Sequence, residues 1–149
     1  MHPFRTIRLL VVEDNPAYLF LVQKAFKDRR RGQTRWEVTV AKDGEEALNV
    51  LFREENNGAL LPDLVLLDWN LPKVTGSEVL QRVKEHPRLR RMPILVFSSS
   101  EADDDIHAAY DNHANGYIVK PADGDALAEI VETIERFWIA IVRLPKIAK

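Results

Sequence analysis

Five short apolar runs alternate with five stretches of helical character along this chain, and that alternation most constrains what it can fold into. The runs are Thr6–Val12, Trp36–Val40, Leu64–Leu67, Ile94–Phe97 and Tyr117–Val119. Most read as strands buried on both faces, whereas Trp36-Glu37-Val38-Thr39-Val40 alternates with period two and predicts a strand with one more exposed face. Asn15-Pro16 opens the first helix as N-cap and first-turn proline; the helix runs from Ala17 to Phe26, and Arg29–Gly32 ends it. Gly44–Phe52 forms the second, broken by Asn56-Asn57-Gly58. Thr75 and Glu78 form a capping box for a helix over Glu78–Glu85, stopped by His86-Pro87. Ala102–Asp111 is a polar fourth helix, and a long fifth begins at Asp123.

Strand–helix alternation with short connections predicts a parallel sheet with helices on both faces. Right-handed crossovers leave few topologies, and the flavodoxin-like (βα)5 order 2-1-3-4-5 brings the ends of strands one, three and five together. With 149 residues, the chain is expected to be one domain over residues 1–149, with a core of about residues 6–136. Residues 137–149 are expected to form a C-terminal extension, with no output domain expected after it. No apolar stretch reaches the ~18–20 residues of a membrane span, and the N-terminus lacks a signal-peptide core. The chain has no cysteine, which excludes disulfides and thiolate metal sites. The expected compartment is the cytoplasm. A net charge of −2 with mixed signs leaves no broad basic footprint for nucleic acid. Two small basic clusters, Arg29–Arg31 with Arg35 and Arg88 with Arg90-Arg91, read either as solvated connections or as a docking patch for an acidic partner.

Chemistry concentrates where the runs end. Leu64–Leu67 is closed by Asp68, the first run by Glu13-Asp14, the fourth by Ser98, and the fifth by Lys120-Pro121. Open α/β sheets place their ligands at this edge. Three crowded carboxylates repel one another unless a cation joins them, and an all-oxygen set suits Mg²⁺. Asp14 and Asp68 are the expected direct ligands, with Glu13 acting through a water. Lys120 supplies a compact positive charge for a phosphoryl oxygen. Pro121 holds Lys120 extended, and their bond is the best cis candidate in the chain. Each residue alone has a plain structural reading, an Asp after a strand being commonly a turn or cap residue. Trp69 is expected to be a partly exposed packing residue, and His107 and His113 surface or helix-end residues. No glycine-rich phosphate loop is present.

The order and spacing of Val12-Glu13-Asp14-Asn15, Leu66-Leu67-Asp68-Trp69-Asn70-Leu71-Pro72, Gly76, Pro93–Ser98 and Gly116-Tyr117-Ile118-Val119-Lys120-Pro121 resemble a bacterial response-regulator receiver domain. The resemblance covers roughly Arg8 to Arg136. It implies that Asp68 is the phosphoacceptor for a sensor histidine kinase. It also implies that Mg²⁺ is held by Asp14, Asp68 and the Asn70 carbonyl beside Glu13, and that Lys120 contacts the phosphoryl group. Ser98 takes the family's switch hydroxyl position and Tyr117 the switch aromatic; Ser98 turning toward the phosphoryl group would make room for Tyr117 to swing inward, altering the face of the fourth helix, fifth strand and fifth helix. Such a protein is a signalling switch rather than a turnover enzyme. Two other classes compete. A haloacid-dehalogenase-type phosphatase wants a second Asp where Asn70 stands. A pseudo-receiver usually lacks one of the acidic residues or the lysine, and all are present.

Beyond the core, Leu127, Ile130, Val131, Ile134, Trp138, Ile141 and Val142 fall at helical spacing. The stretch Phe137–Val142 is apolar all round. A helix from Asp123 to Arg143 is ~30 Å long, against ~13 Å for a four-residue strand, so its end must overhang the sheet. Phe137, Trp138, Ile141 and Val142 are therefore expected to form a homodimer or partner surface, with folding back onto the domain as the alternative. The ending is similar to that of single-domain regulators that partner phytochrome-type histidine kinases.

Overall fold

β1 (Arg5–Val12), β3 (Leu64–Leu67) and β4 (Ile94–Ser98) form the middle of a five-stranded parallel sheet, flanked by β2 (Thr34–Ala41) and β5 (Gly116–Val119) in the order β2-β1-β3-β4-β5. This computed structural model describes residues 5–27, 34–57 and 61–145. β3 and β4 are buried at every position, because helices cover both faces of the sheet. β2, an edge strand, alternates half-buried and exposed side chains up to the buried Ala41.

The pleat sends neighbouring side chains into separate cores. Leu10, Val12, Val65, Leu67 and Val96 pack with residues of α2 (Gly44–Asn57) and α3 (Gly76–Glu85), and with Ala109 of α4 (Asp103–Asp111). Leu9, Val11, Leu64, Leu66 and Phe97 pack under α1 (Pro16–Lys27) and α5 (Gly124–Ile134). The caps follow the sequence. Asn15 Oδ1 accepts from the N–H groups of Ala17 and Tyr18, Thr75 Oγ1 from Glu78, and Asp123 Oδ1 from Ala126. His86 caps α3, its Nδ1 accepting from the Arg88 and Leu89 N–H groups. Arg88 to Arg91 then form a tight turn around buried Leu89, with Arg90 and Arg91 in solvent. The first basic cluster lies outside the described residues except for Arg35.

Three local expectations are corrected. Trp69 is buried in the core cluster, because the loop after β3 folds back on itself and the Gly76 N–H donates to the Trp69 carbonyl. The Lys120–Pro121 bond is trans. The C-terminal helix is present but changes winding: α5 continues into a π-helix over Glu135–Ile141. The wider turn buries Ile139, five residues beyond Ile134, and turns Ile141 outward at 66 % exposure. Trp138 is half-buried against the α1–α5 core, Val142 is half-buried, and Phe137 is 47 % exposed. Glu135 is buried and accepts a hydrogen bond from Trp36 Nε1 at 3.2 Å, fastening the start of this turn to β2. No helix among the described residues is long and apolar enough to cross a membrane.

Candidate functional site

The backbone ladder runs one residue past each strand and so places the chemistry. The Glu13 N–H donates to the Ala41 carbonyl, Asp68 to Val12, and Lys120 to Ser98, at 3.0, 3.0 and 2.8 Å. These bonds bring Glu13, Asp68 and Lys120 together at the carboxyl edge of the sheet, beside Asp14. One carboxylate oxygen from each of Glu13, Asp14 and Asp68 lies within 4.8 Å of the others. Glu13 and Asp68 are buried, at 3 % and 6 % exposure, whereas Asp14 faces solvent. Such an oxygen-only set with one open side fits a hard divalent cation that keeps part of its water shell.

Lys120 reaches into this group from the other side. Its Nζ lies 2.5 Å from Glu13 Oε1 and 3.3 Å from Asp68 Oδ2. The second Glu13 oxygen accepts the Asn15 N–H at 3.0 Å, so both Glu13 oxygens already have partners. Asp68 is the less satisfied carboxylate: besides Lys120 it accepts a long 3.4 Å bond from the Asn70 N–H. Burial, and then the charge of Glu13, push its pKa up to about 6, against the opposing pull of Lys120.

Ser98, at the end of β4, is fully buried, and its Oγ accepts from the Ser100 N–H at 3.2 Å. Tyr117 on β5 packs against the α2–α4 core and donates its hydroxyl to the Ser100 carbonyl at 2.8 Å. Tyr117 thus packs inward while the Ser98 hydroxyl is engaged locally. Ser100 also donates to Asp105 of α4 at 2.5 Å, so one residue ties β5 to α4. His107 and His113 are exposed, and His113 takes a left-handed turn after α4, as a helix-end residue does.

Two contributors act in ways that their place in the sequence does not reveal. Gly76 reads as a helix start, but a Cβ there would come within 2.4 Å of the Asp68 carbonyl and 2.8 Å of Trp69 Cα, so the loop bearing Asp68 closes only over glycine. Tyr18 stands in the first turn of α1. Its ring centroid lies 4.8 Å from Lys120 Nζ, and its hydroxyl donates to the Pro121 carbonyl at 3.3 Å. Burial and the Glu13 charge raise that hydroxyl to about 12, so it stays a neutral donor.

A doubly wound five-stranded sheet with an acidic trio and a lysine at its carboxyl edge defines a receiver-type signalling domain, and residues 9–132 match the response regulator receiver domain family. The chain belongs to that family, whose members are signalling modules of two-component systems. It is 41 % identical to the probable methanogenesis regulatory protein FilR2 of Methanothrix harundinacea over 138 residues, covering 92 % of this chain and 86 % of that one. It is 38 % identical to response regulator Rcp1 of Synechocystis over 138 residues, covering 92 % of each. The crystal structure of the phosphorylated cyanobacterial phytochrome response regulator RcpA superposes with a TM-score of 0.86 at 42 % identity, covering 95 % of this chain and 99 % of that one. The Mn²⁺-bound form of Rcp1 superposes with a TM-score of 0.82 at 36 % identity, covering 94 % and 99 %.

Proposed function

We propose that this chain is a phosphorylation switch in which Asp68 accepts a phosphoryl group from a phosphohistidine of a sensor kinase. The observation that carries the reading is the placement of one under-satisfied carboxylate between a lysine and two further acids at a buried sheet edge. In the transfer an Asp68 oxygen attacks phosphorus, the P–N bond to the donor imidazole breaks, and the imidazole keeps the electron pair. Such a step needs charge neutralisation and alignment rather than further covalent help. Mg²⁺ would be held by Asp14, Asp68 and the Asn70 carbonyl, with Glu13 acting through water; bound there, it neutralises phosphoryl oxygens. Lys120 supplies the second positive charge. In the resting site Glu13 holds it closer than Asp68 does, and the added charge of an acyl phosphate draws it across.

The readout surface is α4, β5 and α5, where Tyr117 joins β5 to the Ser98–Ser100 turn. The partner is a histidine kinase of the phytochrome type, a reading supported by the phytochrome response regulator RcpA. The chain pairs with a second copy through the C-terminal turn, where Phe137 and Ile141 are presented and Trp138 and Val142 flank them from half-buried positions. Incubation with acetyl phosphate and Mg²⁺ followed by intact-mass measurement tests the switch. A stoichiometric adduct lost in Asp68→Asn is expected; the absence of any adduct in the wild type would make the chain a binding module, and multiple turnover of a small phosphoester would make it a phosphatase. Light scattering after size exclusion tests the pairing, which a monomer at high micromolar concentration overturns.

A further inference from the structure

Lys120 carries its charge on a flexible four-carbon stem, and such an ammonium is poorly fixed by carboxylates alone. Here its Nζ is bounded on three sides: by Glu13 Oε1, by Asp68 Oδ2, and by the ring of Tyr18 at 4.8 Å from the centroid. That ring is itself held. Its backbone N–H is capped by Asn15 Oδ1, the ring leans on Phe97 at 5.8 Å, and its hydroxyl reaches the carbonyl of Pro121, the residue after Lys120. Tyr18 thus spans from the loop carrying Glu13 and Asp14 to the loop carrying Lys120. We propose that Tyr18 is a positioning residue for phosphoryl transfer: its ring face confines the Lys120 ammonium at Asp68, and its hydroxyl secures the loop behind it.

The inference rests on the reading of Asp68 as phosphoacceptor, but its geometry can be tested apart from that. A cation over an aromatic face in a largely desolvated site is held strongly enough that removing the ring costs on the order of tenfold in a step that needs the cation placed. Tyr18→Leu should lower the rate of adduct formation from acetyl phosphate about tenfold, measured at saturating Mg²⁺. Mg²⁺ affinity by calorimetry should stay within about twofold, because Tyr18 offers the ion no ligand. Tyr18→Phe keeps the ring and should restore most of the rate. The Lys120 ε-methylene resonances should be shifted upfield by the ring in the wild type and in Tyr18→Phe, and return to ordinary values in Tyr18→Leu. Wild-type rates in Tyr18→Leu, a parallel fall of rate and Mg²⁺ affinity, or unshifted Lys120 resonances in the wild type would each overturn the proposal. If the wild type takes no phosphoryl group, the phosphoacceptor reading fails with it, while the resonances still report on the contact.

Discussion

Asp68→Asn should make the folded chain more stable at neutral pH in metal-free buffer, although it removes the residue on which the proposed chemistry depends. Burial and the neighbouring Glu13 charge hold the Asp68 pKa at about 6, against 3.8 for an ordinary side chain. The folded state therefore binds a proton at Asp68 more tightly than the unfolded chain does. Its favourable contribution is complete below pH ~4 and is lost as pH rises through ~6. One pKa unit corresponds to ~1.4 kcal/mol, so with solvent screening the ionised carboxylate costs on the order of 1–3 kcal/mol at neutral pH. The attraction of Lys120 is already contained in that shift. Asparagine has the shape of the protonated carboxyl and no charge, and should recover about 1–3 kcal/mol. For a domain of this size that is ~2–4 °C in Tm per kcal/mol.

The assay is urea unfolding of both proteins from pH 4.5 to 8 in EDTA, repeated with Mg²⁺. Carboxylates away from the site give the same slope in both, so the difference isolates Asp68 together with its coupling to Glu13. It should already stand at roughly a third of its full size at pH 4.5 and reach that size by about pH 6.5. Adding Mg²⁺ should close it, since a ligand at 100 times its Kd stabilises the wild type by ~2.7 kcal/mol and leaves the variant nearly unaffected. A variant no more stable than the wild type at pH 7.5 in EDTA, or a difference independent of pH, would refute the electrostatic account of the site.

Three further expectations concern the frame around the site. Gly76→Ala drives a Cβ against the Asp68 carbonyl and the Trp69 backbone; it should destabilise by ~1–3 kcal/mol and slow adduct formation at Asp68, and wild-type values in both assays would show that the loop yields freely. Lys84 donates to the carbonyls of Arg90 and Met92 and to Asn115 Oδ1, joining α3 to the approaches of β4 and β5, so Lys84→Met should cost ~2–3 kcal/mol at pH 7. Burial lowers the Lys84 pKa to about 8, so the wild type should gain stability relative to this variant as pH rises from about 8 to 10.5, where the unfolded chain holds the extra proton. Trp36→Phe deletes the donor to Glu135 and should cost ~1–2 kcal/mol, with faster amide exchange confined to Glu135–Ile141; uniform protection would show that the π-turn does not depend on that bond.

The frame was legible in the sequence because strand ends and caps are local signals. Each apolar run stops where its last ladder bond is made, so Glu13, Asp68, Ser98 and Lys120 could be placed at one edge from their positions alone. Thr75, Asn15 and Asp123 cap helices through atoms two or three residues away. What stayed hidden depends on contacts between distant segments. Tyr18 differs from an ordinary core aromatic through Lys120 and Pro121, more than a hundred residues on. Trp69 is buried because Gly76 leaves room for the loop to double back, which depends on the approach of two backbones rather than on tryptophan itself. The hydroxyl of Tyr117 likewise finds its partner, the Ser100 carbonyl, on a different strand connection.

The C-terminal helix shows how a change of winding can alter a surface whose residues are all visible in the sequence. An unbroken α-helix would keep Ile134, Trp138 and Ile141 on a single stripe facing the sheet. The π-turn that starts at Glu135, where Trp36 of β2 donates to the buried carboxylate, keeps Ile134 and Trp138 against the core, adds Ile139 to the buried residues and leaves Ile141 in solvent. Trp36 pairs with Ile7 near the amino ends of the strands, so the tail lies at the opposite edge of the sheet from Asp68. α5 links the two edges. It begins four residues after Lys120 and runs ~16 Å at 1.5 Å per residue before the winding changes. In the proposed switch, a displacement of the Lys120 loop toward an acyl phosphate would act on the first turn of α5, which leads to Phe137 and Ile141. The exposed pair therefore lies just past the bond to Trp36 at the near end of α5, with the Lys120 loop of the proposed switch at its far end.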